Sequence, residues 1–184
     1  MRQNLVESYI DKLRSSFGSA RPPIEEAKLR VLYDARNYAG MILHIQSILN
    51  LGMKVRLGLV NDGGPDAPAW VSRPANIPFY GTSEFQQFRV TIYLRKSFLR
   101  KGNFDEVVVA IAHELSHVLL DAVDHSLQKE EEAVDLTAML FGFRDFYVTG
   151  CRSTHIEGDI CETRVMGYLT YEEVGHAAIY MTFR

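Results

Sequence analysis

The run His113-Glu114-Leu115-Ser116-His117 sets two imidazoles four residues apart with a carboxylate beside the first. On an α-helix such a pair stands one turn apart on one face, so both rings can grip a single metal ion. Glu114 reaches that ion less easily, but it can reach a water bound there. Such a grip requires a helix through these residues with one side facing a cleft, and the five residues alone do not decide it. At about 100° per residue, Val107, Val108, Ile111, Leu115, Val118, Leu119 and Ala122 fall on an arc from about 0° to 120°. His113, Glu114 and His117 fall between about 240° and 340° on the same wheel. The polar trio thus faces away from the apolar stripe. Asn103 suits the cap of this helix, with Asp105 and Glu106 in its first turn, and the pattern runs to about Ala122.

Two histidines leave a catalytic zinc one protein ligand short. The metzincin position, six residues past the second histidine, falls on Val123, and Leu120 replaces that pattern's glycine, so that class is excluded even though Asp124 and His125 lie close by. The next helical pattern, about Lys129 to Tyr147, opens with Glu130, Glu131 and Glu132, followed by Asp135. Glu131 and Asp135 are four apart and share a face. One of them can bind the metal while the other accepts the ring N–H of a ligating histidine. A rotation of the helix would bring Glu130 or Glu132 to the same place.

The remaining elements follow from periodicity. Leu5, Val6, Tyr9, Ile10, Leu13 and Phe17 recur at helical spacing until Gly18. A second helical pattern spans Ile24 to about Asn50, with Pro23 suited to its first turn and Leu51-Gly52 as its stop. Val55, Leu57 and Leu59 then alternate with Lys54, Arg56 and Gly58, which reads as a strand. Ala69-Trp70-Val71-Ser72 reads as a short strand, extended by Phe79-Tyr80 after the prolines, and Phe88 to Leu94 as a clearer one. Gly150 to Gly167 shows no clear period and reads as a loop. Tyr171 to about Met181 forms a closing helix with Thr170 and Glu173 as a capping box. The expected fold class is α+β, with a small, mostly antiparallel sheet of about three strands.

HELSHVLL followed by EEAVDLTAMLFGF resembles the gluzincin metallopeptidases, in which HExxH is followed on a later helix by ExxxD, and looks most like their compact soluble members. That resemblance covers about residues 24–147 and implies a zincin-like fold of backing helix, short sheet, active-site helix and glutamate helix. It implies Zn²⁺ as cofactor, with His113, His117 and Glu131 as ligands, Asp135 as the partner of a ligating histidine and Glu114 as general base. It also implies that Ala69, Trp70 and Val71, on an edge strand, bind a peptide or protein substrate by strand addition. Gluzincins commonly give oxyanion stabilisation to a downstream Tyr, His or Arg, and Tyr147, Tyr168, His155 and His176 are the candidates here. By its own chemistry Trp70 reads as a packing residue rather than a specificity determinant. The expected activity is zinc-dependent peptide hydrolysis. The alternative is an inactive or latent zinc-binding regulatory module acting through one protein partner.

Bulk properties set the frame. At 184 residues the chain reads as one domain, with a core over about 24–147 and a C-terminal loop and helix over 148–184. With 47% hydrophobic and 23% charged residues it reads as globular. The formal net charge of -3 argues against a nucleic acid or an acidic membrane as main partner, and no stretch approaches the roughly 20 apolar residues of a membrane span. Without a signal-peptide pattern at its start, the chain is expected to be cytoplasmic, with Cys151 and Cys161 reduced. Cys151-Arg-Ser-Thr-His155 up to Cys161 lacks the spacing and the fourth ligand of a second zinc site.

Overall fold

The structure is a computed structural model that describes residues 2–61, 65, 67–72, 76–157 and 160–183, with the backbone alone over 153–157, 160–162 and 164. Its class is α+β, predominantly helical, with a small three-stranded mixed sheet and a separate two-stranded ribbon.

Helix α1 (Arg2–Phe17) buries Val6, Ile10 and Leu13 on one stripe and ends where Gly18 turns to φ 84°. The expected helix from Ile24 to Asn50 is two helices, α2 (Ala27–Asp34) and α3 (Tyr38–Ile48). Arg36 breaks the run at φ 53°, and the Asn37 side chain accepts the Gly40 N–H to start the second piece. An Asn three residues before a glycine is a capping signal that continuous apolar spacing conceals.

Strand β1 (Lys54–Val60) follows, then β2 (Ala69–Ser72). Phe79 and Tyr80 do not extend β2: they lead into a short helix, α4 (Ser83–Gln87), capped by Thr82. Strand β3 (Arg89–Arg95) lies between the other two, antiparallel to β2 but parallel to β1. The sheet is therefore mixed, since β3 runs in the direction of β1 and against β2. Along β3 the alternation is clean, with Val90, Ile92 and Leu94 buried against the helices. Helix α5 (Lys96–Lys101) closes this half.

Helix α6 (Phe104–Ala122) is the axis of the molecule. Asn103 accepts the Glu106 N–H and the Glu106 carboxylate accepts the Asn103 N–H, so the expected cap is a full capping box. Sixteen of its residues are buried, leaving only Asp105, Glu114 and Asp121 partly open. A helix so enclosed must have protein on every side: α3 and β2 on one, and on the other α7 (Glu131–Ala138) and α8 (Arg144–Gly150). The expected single helix from Lys129 to Tyr147 is broken between these two. A wide, π-type turn over Met139–Phe143 contains Gly142 at φ 103°, pressed so close to the Pro22 carbonyl that a Cβ would lie 2.5 Å from it. Helical spacing survives such a turn, which is why periodicity does not reveal it.

The segment read as a loop is a hairpin of β4 (Arg152–Glu157) and β5 (Ile160–Val165). Its sequence signal is Gly158-Asp159 between two runs rich in β-branched residues. Helix α9 (Tyr171–Phe183) then packs on α1 and α8, with the Thr170–Glu173 capping box in place. No helix among the described residues is long and apolar enough to cross a membrane.

Candidate metal centre

The site is assembled where α6, α7, β2 and the turn before α9 converge. One turn of α6 presents His113 and His117, whose rings stand 4.7 Å apart at 89° to one another. The first residue of α7 supplies Glu131, whose Oε2 lies 3.3 Å from His113 Nε2 and 3.1 Å from His117 Nε2. The three ligand-capable atoms fall within 4.8 Å of one another. Ligands about 2.0–2.1 Å from one tetrahedral ion lie roughly 3.4 Å apart, so the spacing and the donor set both fit zinc. Glu130 and Glu132 are not in this cluster: Glu130 accepts a bond from the Tyr9 hydroxyl at 3.3 Å.

Asp135, one turn further along α7, is wholly buried. Its Oδ1 is 2.8 Å from His113 Nδ1 and accepts the Tyr147 hydroxyl at 3.0 Å. Its Oδ2 accepts backbone N–H groups from Tyr168 at 2.6 Å and Leu169 at 3.4 Å. A carboxylate at Nδ1 orients the His113 ring so that Nε2 faces Glu131, and with a metal in place it would hold the tautomer whose Nε2 is free to ligate. Burial alone would depress the His113 pKa, but Asp135 and Glu131 outweigh it and raise it to about 10. The two carboxylates thus make the spot favourable for positive charge.

Glu114 points the other way, towards the sheet, where its Oε2 accepts the Val71 N–H at 2.8 Å. β3 occupies one edge of β2, so Val71 offers this N–H from the opposite, helix-facing edge. Ala67, Pro68, Ala69, His113 and Glu114 line a cleft of ≈ 200 Å³, closed on its far side by Val165–Tyr168. Trp70 is absent from that lining. Its ring stacks on Tyr93 at 5.3 Å on the sheet's other face, which fits the packing role.

Of the three oxyanion candidates whose side chains are described, only Tyr168 borders the cleft, with its ring stacked on His113 at 5.4 Å. Burial, then Glu131 and Glu114, raise the pKa of its phenol, which stays a donor. Tyr147 is committed to Asp135, and His176 lies 3.0 Å from Glu7 on the α1–α9 seam. The His155 side chain lies outside the described residues, as does that of Cys161; Cys151 is buried and free. His125 stacks on Phe17 and accepts the Leu127 N–H, away from the site.

Sequence reasoning missed the Val71 N–H on Glu114, the Tyr147 hydroxyl on Asp135 and the turn before α9. Gly167 adopts φ 83°, and a Cβ there would stand 2.8 Å from Asp135 Oδ2. A lone glycine between Met166 and Tyr168 gives no hint that it lies under a buried carboxylate 32 positions earlier. No protein-family model, curated protein or solved structure matches this chain.

Proposed function

We propose that the protein is a zinc-dependent peptidase of zincin-like architecture, with His113, His117 and Glu131 as ligands and Glu114 as general base. The observation that carries this reading is the approach of Glu131 Oε2 to both histidine Nε2 atoms, with Glu114 adjacent and turned into the cleft. A bound zinc ion would supply a water of lowered pKa and polarise a carbonyl. Glu114 would then be placed to accept a proton from the attacking water and to return it to the amine released as the scissile C–N bond breaks. The Val71 N–H keeps the carboxylate aimed during both transfers. Asp135 holds His113 in one tautomer, and the Tyr168 phenol donates to the developing oxyanion. Peptides are favoured as substrates because Ala69 lies on a strand edge beside the cleft, where an extended chain would be aligned, the Val71 N–H of that edge being taken by Glu114.

A latent enzyme is the second reading, supported by the size of the cleft: ≈ 200 Å³ is below the roughly 300–1,000 Å³ of ordinary ligand pockets. In that case the Val165–Tyr168 wall withdraws when one particular partner binds.

Metal analysis of wild type, His117→Ala and Glu114→Gln, run beside a peptide-library cleavage assay, tests the proposal. We expect about one zinc per wild-type chain, little in His117→Ala, and bound zinc without cleavage in Glu114→Gln. A correctly folded wild type that takes up no zinc would end this reading.

A further inference from the structure

The face of the sheet turned away from α6 carries a charge pattern at odds with the rest of the chain. By strand alternation and register, Lys54 and Arg56 on β1 lie on this face with Arg89 and Arg95 on β3. Lys54, Arg56 and Arg89 are exposed. None of these three has an ion-pair partner among the described residues, and the same face of the three strands carries no carboxylate. The chain as a whole has net charge -3, so this concentration is local.

We propose that this face is a docking surface for an extended acidic segment of a partner protein. Alternate residues along β1 are about 6.6 Å apart and neighbouring strands about 4.8 Å, so the cations form a grid that acidic side chains of an extended chain would match. The aromatic pair beside them argues against single-stranded nucleic acid, which relies on open ring faces for base stacking. Trp70 and Tyr93 stack on each other. Tyr93 also leans over Gly58, where a Cβ would meet its ring at 2.3 Å, and the Arg95 guanidinium lies 5.5 Å from the Trp70 ring centre. Arg95 is itself anchored to the carbonyls of Ala67 and Pro65, which steadies this row. β2 belongs to both surfaces: Trp70 and Ser72 point to the basic face, and Val71 meets Glu114. A partner held here would lie one strand away from the cleft.

The test uses the full chain and a fluorescent peptide of alternating Glu and Ser as long as β1, followed by anisotropy. The comparison ligands are its Lys-for-Glu counterpart and an oligothymidylate of equal charge. We expect the Glu peptide to bind at low salt, the Lys peptide not to bind, and affinity to fall steeply by about 0.5 M salt. Arg56→Glu with Arg89→Glu should weaken binding at least about tenfold with thermal stability unchanged. Lys54→Gln with Arg56→Gln provides a milder variant, expected to weaken binding by less. No binding, or equal binding by the variants, would overturn the proposal; tighter binding of the oligothymidylate would reassign the face to nucleic acid. Binding is read without hydrolysis, so wild type that binds the peptide but takes up no zinc would refute the peptidase and leave this surface standing.

Discussion

Asp135 serves two groups of partners with one carboxylate, and the room it occupies depends on a residue with no side chain. Oδ1 faces His113 and Tyr147, and Oδ2 faces the backbone of Tyr168 and Leu169. Gly167→Ala would place a methyl 2.8 Å from Oδ2 at a backbone φ of 83°, which L side chains rarely adopt. We expect a stability loss of about 1–3 kcal/mol in urea unfolding, the usual cost of strained backbone. Zinc affinity, read by chelator competition, should fall because Asp135 is pushed from His113. Asp135→Asn keeps the volume but puts an amide opposite two backbone donors. Zinc affinity should drop about 10–100-fold, as for other partners of ligating histidines. Unchanged affinity in Asp135→Asn would show that the Nδ1 contact does not tune the ligand.

At the scale of elements, the position of the two histidines depends on where α6 begins. The capping box of Asn103 and Glu106 satisfies two backbone donors at a helix start where Glu106 is fully buried. Asn103→Ala removes one of these bonds and should cost about 1 kcal/mol. Because the lesion lies more than two turns before His113, denaturant unfolding should shift while the zinc content of the folded protein stays the same. The break between α7 and α8 is a sharper test of backbone geometry. Gly142→Ala sets a Cβ 2.5 Å from the Pro22 carbonyl at φ 103°, so we expect low yield of folded protein, or a loss exceeding that of Asn103→Ala. Both breaks in expected helices share one cause: apolar spacing reports which face is buried, and a face can remain buried while the backbone changes direction.

For the whole molecule, a metal held by His113 and His117 of α6 and Glu131 of α7 would link binding to folding. Zinc at about 100 times its Kd should add about 2.7 kcal/mol, seen as a rise in Tm that chelator reverses and that His117→Ala lacks. The sequence alone determined the helix through His113–His117, its cap at Asn103, the positions of β1, β2 and β3 and the presence of carboxylates one turn apart at Glu131 and Asp135. All of these are local, set by spacing along one element. Only the tertiary structure decided that Glu131 rather than its neighbours faces both histidines, and that Asp135 reaches His113. It also decided that β1 runs parallel to β3, that residues 152–165 form a hairpin, and that Tyr168 walls the cleft. These depend on how separate elements meet across a shared core, where distances of a few ångströms join positions far apart in the chain and no repeat in the sequence records the meeting.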